Sequence, residues 1–202
     1  MKKIGVLKSR EEIELGKSYF DAFLFGIEGF SINMPTYFTL EELKPIIETL
    51  VKEQKEVFIS LNKNLFHCDL NPLKELLKEL DTLPIAGIFY YDACFITLKQ
   101  EGLFHLPLIW NQEHLVTNYA TCNFYQSLKV TGAVLSSEIT MDEILEIRKK
   151  CNMTLMVPIF GYIPMFTSKR DLVKNYLKTF SLKQEDTVYR LEKEGYSYPI
   201  IN

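Results

Sequence analysis

Residues 154–180 read TLMVPIFGYIPMFTSKRDLVKNYLKTF. The apolar run Leu155–Phe160 has the length of a buried strand. Gly161 breaks it, Pro164 marks a loop, and Thr167 and Ser168 offer side-chain oxygens. From Asp171 the spacing turns helical, with Leu172, Val173, Tyr176, Leu177 and Phe180 on one face. Ser168 with Asp171 fits the Ser-x-x-acid pattern of a helix start, and Lys169 and Arg170 lie between them. A strand thus leads into a loop that delivers two cations to a helix N-terminus. Unpaired backbone N–H groups and added positive charge favour an anion there. The same residues also suit a capped helix with two solvated cations, and capping is commoner than chemistry.

Working outward, the same strand-then-helix unit recurs. Ser9 with Glu12, Thr39 with Glu42 and Thr140 with Glu143 repeat the helix-start spacing, and Asn71-Pro72 supplies a further start. The pattern predicts strands at 3–7, 22–26, 57–61, 85–91, 106–110, 132–135 and 155–160. Helices are expected up to Gly16, at 40–54, 72–80, 93–100, 118–128 and 141–150, and from Asp171. The strands are continuous apolar runs, as expected when both faces of a parallel sheet are covered. Seven units in one line predict an α/β fold. No GxGxxG or GxxxxGK[ST] follows a strand, which favours a TIM-barrel-like (β/α) barrel over a doubly wound nucleotide-binding sheet. Residues 187–201 read as a C-terminal β-hairpin. Eight strands close such a barrel and seven precede the hairpin, so in this single 1–202 domain either the hairpin closes the gap or the eighth unit is missing; an unclosed barrel exposes two strand edges, which predicts a homo-oligomer.

Composition narrows the class. The charged fraction is 24% and the net charge −3, which gives no general attraction to nucleic acid or anionic membrane. No apolar run reaches membrane-span length, and Met1–Leu7 is too brief for a signal peptide. A cytoplasmic protein is expected. Cys68, Cys94, Cys122 and Cys151 contain no CxxC pair, so separate reduced thiols are expected and neither a local metal site nor a cofactor. The three histidines form no HExxH or other ligand pattern. Tyr90, Tyr91, Tyr162 and Phe166 suit packing better than a pocket wall.

Several stretches in order carry a family resemblance: DAFLFGIEGFS at 21–31, VFISLNKN at 57–64, GAVLSSEITMDEILEIRKK at 132–150, PIFGYIPMFTSKRDLVKNYL at 158–177 and VYRLEKEGYSYPI at 188–200. Together they resemble the collagenase-like peptidase family, peptidase family U32, over nearly the whole chain. The resemblance implies a TIM-barrel-like N-terminal domain. Family members are named as peptidases, and related ones act in RNA and quinone hydroxylation, several with an iron–sulfur cluster. This chain departs from the family signature, which runs His-Gly, Cys, Ser-Gly, Arg-Cys. Here the matching positions are Phe160-Gly161, Pro164, Ser168-Lys169 and Arg170-Asp171. The His and both cysteines are missing, so the cluster chemistry does not carry over. Glu138, Gly161, Ser168 and Arg170 survive.

In a barrel, residues just past the strand ends share one rim. Glu28, Asn62, Asp92, Asn111, Glu138, Lys169 and Arg170 all fall there. Glu138 and Arg170 are the candidate catalytic groups. Lys169, Ser168, Gly161, Asn62, Asp92 and Asn111 are the candidate ligand contacts, with no metal. Carboxylates and cations on one rim can hold a small polar molecule or polarise a carbonyl, although loops at strand ends are polar in any case. Three functions remain open. One is a hydrolase of peptides. Another is an accessory protein of tRNA or rRNA hydroxylation that binds a paralogous partner subunit or a small acidic ligand. The third is a non-catalytic scaffold.

Overall fold

Alternate residues of the predicted strands are apolar on both faces, and the computed structural model shows where each set goes. It describes residues 1–161, 163, 168, 170–185 and 188–200, the side chain of Glu113 excepted. The expectations placed on Tyr162, Pro164, Phe166, Thr167, Lys169, Thr187 and Ile201 lie outside the described residues. The chain divides into two compact units, 1–161 and 162–202, each described by itself.

In the first unit, strands β1 (Ile4–Gly5), β2 (Ala22–Ile27), β4 (Glu56–Leu61), β5 (Gly87–Tyr90), β6 (Leu108–Trp110), β7 (Gly132–Val134) and β8 (Thr154–Met156) lie side by side in that order. All neighbouring pairs are parallel. Helices α1 (Arg10–Gly16), α2 (Leu40–Lys52), α3 (Leu70–Leu80), α4 (Cys94–Gln100), α5 (Tyr119–Ser127) and α6 (Met141–Lys150) fill the connections. This is an incomplete TIM-barrel-like α/β fold, as the sequence predicts. Among the described residues β1 and β8 are each paired on one side only.

The two-residue period of a strand splits its side chains between two cores. Phe23, Phe25, Val57, Ile59, Leu61, Ile88, Tyr90, Leu108, Trp110 and Ala133 pack with helix residues such as Leu43, Ile47, Leu73 and Leu77. Ala22, Phe58, Phe89 and Ile109 form a second cluster with Leu24, Val134 and Met156 on the face opposite the helices of the first unit. Fully burying one such Phe or Leu contributes roughly 1.5–3 kcal/mol.

The helix starts follow their local chemistry. The Thr39 and Thr140 hydroxyls accept from the backbone N–H of Glu42 and Glu143, and the carboxylates of those glutamates accept from the threonine N–H in turn. Ser9 accepts from Glu12 N–H at 3.2 Å. One expected start is displaced: α3 begins at Leu70, after a 3-10 turn over His67–Asp69, not at Asn71-Pro72. Pro72 is its third residue, where a helical N–H has no partner to lose.

Other differences follow from hydrogen bonding. The run 155–160 pairs only as Thr154–Met156, because Pro158 cannot donate to a ladder. Val157, Ile159 and Phe160 are exposed instead. The first, fourth and fifth expected strands are likewise trimmed, to Ile4–Gly5, Gly87–Tyr90 and Leu108–Trp110. An eighth strand, β3 (Tyr37–Phe38), pairs with the end of β2 and was not anticipated.

In the second unit, α7 (Leu172–Thr179) buries Val173 and Leu177. Its N-cap is Asp171, without a side-chain cap bond, so Ser168 does not start the helix. Ser168 Oγ accepts from Arg170 N–H at 3.1 Å, a local turn just upstream. Strands β9 (Arg190–Lys193) and β10 (Tyr196–Pro199) form the antiparallel hairpin. Its turn residues Glu194 and Gly195 both have positive φ, 51° and 82°, as a two-residue hairpin turn requires.

Candidate functional site

Because β4 to β7 are parallel neighbours, their C-terminal ends open on one edge of the sheet. Leu61 pairs with Tyr90, and Tyr90 with Trp110. One residue further on, Asn62, Tyr91 and Asn111 therefore stand level. In the two-residue alternation they are in phase with Phe58, Phe89 and Ile109 and belong to the face opposite the first unit's helices. Asp92 falls in the opposite phase, toward the helices. The structure accordingly places Asn62 and Asn111 on one face, two strands apart, and Asp92 on the other.

Side-chain partners divide them further. Asn62 is 7% exposed, and its amide is engaged with both backbone groups of Ile32. It holds the loop that follows β2. Asp92 Oδ1 accepts from Cys94 N–H at 2.9 Å and opens α4. Asn111 is half-buried, and its backbone N–H donates to the Tyr90 carbonyl at 2.9 Å. Gln112 Nε2 donates to the Tyr91 carbonyl at 2.7 Å. Glu28 is exposed at the end of β2. In the second unit, Ser168 and Arg170 are exposed; Gly161, the last residue of the first, is exposed at φ +134°.

Glu138 has a partner that the sequence did not suggest. Its Oε1 lies 3.4 Å from His114 Nδ1, which makes an ion pair when the imidazole is protonated. Glu138 comes from the loop after β7 and His114 from the loop after β6. The two side chains are 68% and 37% exposed. Glu138 N–H donates to Ser136 Oγ at 3.2 Å, and Ser136 N–H to the Val116 carbonyl at 3.0 Å, so the two loops are fastened together. A carboxylate beside one imidazole nitrogen orients the ring. The available clue was position alone: each residue lies a few places beyond a strand, and the two strands are consecutive.

Two of the thiols are poor nucleophiles in the folded chain. Burial pushes the Cys94 thiol up to about 12, with the Asp92 carboxylate adding to it, and burial pushes Cys122 up to about 11. Neither is a thiolate near neutral pH. Among the described residues no group of three or more His, Cys, Asp or Glu side chains is placed to hold a metal ion. Among the same residues no helix is long and apolar enough to cross a membrane.

Comparison with known proteins agrees with this architecture. The chain is 30% identical over 158 residues to the tRNA hydroxylation protein P2 of Bacillus subtilis, covering 78% of this chain and 51% of that protein. It is 24% identical to the tRNA hydroxylation protein P of Escherichia coli, over 77% of this chain and 36% of that protein. An uncharacterized protease of Methanocaldococcus jannaschii is 28% identical, over 69% of this chain and 35% of that protein. The chain thus spans between about a third and a half of the length of these relatives. The solved structure of a U32 peptidase superposes with a TM-score of 0.66 at 13% identity, covering 78% of this chain and 68% of that one. That likeness concerns the fold alone. Residues 14–186 match the sequence profile of Peptidase family U32. With the strand order, the motif order and that span in agreement, the chain belongs to Peptidase family U32.

Proposed function

We propose that this chain takes part in tRNA hydroxylation and does not cleave peptides. Its strand-end loops would hold a small acidic molecule or a paralogous partner subunit. The observation that carries this reading is the likeness to tRNA hydroxylation proteins from Bacillus subtilis and Escherichia coli. The thiol chemistry supports it, since Cys94 and Cys122 are held protonated by burial and cannot serve as peptidase nucleophiles. His114, Glu138 and Asn111 form the polar part of the proposed site. Arg170 and Lys169, in the second unit, are a separate candidate contact for an acidic guest.

The test is genetic and chemical. The gene is deleted in its own organism, in a background lacking any paralogue, and nucleosides from total tRNA are read by mass spectrometry. Loss of the hydroxylated nucleoside is expected, restored by the wild-type gene but not by a K169A/R170A double variant. Unchanged hydroxylation, or cleavage of gelatin by the purified chain, would overturn the reading.

The one-sided pairing of β1 and β8 also supports self-association. Sedimentation velocity reads this directly, and a monomer at high concentration counts against it.

A further inference from the structure

Two buried thiols meet where α5 runs beside the end of α6. Cys122 lies in α5 and is fully buried; Cys151, directly after α6, is 2% exposed. The two thiols are near enough for Cys151 to add to the upward push that burial gives the Cys122 pKa, and both cysteines are free. The residues on either side fix this meeting. Asn123 Nδ2 donates to the Lys150 carbonyl at 3.1 Å. The Lys150 ammonium stands 4.4 Å from the centre of the Tyr119 ring. Met153 N–H donates to Cys151 Sγ at 3.4 Å.

We infer that Cys122 and Cys151 form a reversible redox pair, a dithiol that closes to an intrachain disulfide on exposure to a peroxide or to a small disulfide of the glutathione type. The balance with hydrogen peroxide is simple. The Cys151 sulfur attacks one peroxide oxygen, the O–O bond breaks, and hydroxide leaves with the thiol proton as water. The Cys122 sulfur then attacks the resulting sulfenic acid. An S–S bond forms, the S–O bond breaks, and a second water leaves with the Cys122 proton. Two thiols lose two electrons and the peroxide gains them. With a glutathione-type disulfide, two exchange steps release two small thiols.

Burial also makes the reaction slow, since an oxidant reaches the pair only when α5 or the end of α6 opens locally. The link joins two helices that each follow one of the fastened loops carrying His114 and Glu138. Exposed Cys68 is the internal reference, because it reacts without any opening.

The test uses the full chain, incubated in glutathione buffers of increasing oxidised-to-reduced ratio. Samples are acid-quenched, alkylated, digested and read by mass spectrometry. A peptide pair joined through Cys122 and Cys151 should accumulate with that ratio, vanish on treatment with dithiothreitol, and form undiminished in a C68A variant. The inference is overturned if both thiols stay alkylatable after unfolding under conditions that convert Cys68. It is equally overturned if they take up separate glutathione adducts without a joined peptide.

Discussion

Asn62 grips Ile32 with both ends of its amide: Oδ1 accepts from the Ile32 N–H at 2.9 Å and Nδ2 donates to the Ile32 carbonyl at 3.0 Å. This imitates a strand pair where no strand exists, and it ties the loop after β2 to the end of β4. The site is nearly buried, so Asn62→Asp sets a carboxylate against the Ile32 carbonyl with little water to screen it. A loss of about 2–3 kcal/mol is expected, read as a lower urea midpoint with an unchanged slope. A variant within about 0.5 kcal/mol of wild type would show that the loop is held by other contacts.

Asp81 gives the fold an acid-sensitive point. Burial alone would raise its pKa. Hydrogen bonds from the His105 ring, the His105 N–H and the Leu106 N–H outweigh burial and hold the carboxyl below its usual range. A group with a depressed folded-state pKa stabilises the fold above its unfolded pKa, and that contribution fades as pH falls through the folded value. Asp81→Asn keeps an oxygen for the backbone donors but loses the charge. The stability gap between wild type and D81N should be steady above pH ~5 and shrink toward pH ~2. A gap that does not change over that range would remove the charge from the account.

What the sequence made legible depended on how local the signal was. The capping boxes at Thr39 and Thr140 and the apolar strand runs lie within a few residues, and they placed nearly every unit of the sheet. Strand ends were misjudged where an apolar run outlasts its hydrogen bonds, as at Val157–Phe160 beyond Pro158. The two-residue β3 carries no pattern long enough to see. At the candidate site, strand phase alone could have separated Asn111, level with Asn62, from Asp92, which faces the helices. The His114–Glu138 contact was not legible, since it joins two loops 24 residues apart and exists only because β6 and β7 are neighbours.

Gly87 tests the packing of β5 against β6. A Cβ there would lie 2.6 Å from Ile109 Cδ1 and 2.9 Å from the Pro107 carbonyl oxygen. The second atom is backbone and cannot swing away. At Gly26 the nearest atoms are all side chain, Met34 Cγ at 2.7 Å, Met34 Cβ at 3.1 Å and Ser31 Cβ at 3.2 Å. Gly87→Ala should therefore cost about 2–3 kcal/mol and Gly26→Ala clearly less. Thermal melts of the two variants decide the order, and equal costs would contradict the described fit of β5 to β6.

The proposed role of His114 and Glu138 can be separated from any role in folding. Both side chains reach solvent, and exposed ion pairs contribute little to stability. His114→Gln and Glu138→Gln should each leave the urea midpoint almost unchanged, within about 0.5 kcal/mol. If the pair contacts the reacting molecule, restoration of tRNA hydroxylation by either variant should fall at least about tenfold, as loss of a positioned acid or base does. The double variant should then be no worse than the more damaging single one, because the two groups act as a unit. Full restoration by both single variants would take the pair out of the site and leave Asn111 as its remaining polar group in the first unit. A shared fall in melting temperature would instead assign His114 and Glu138 to holding the two loops together.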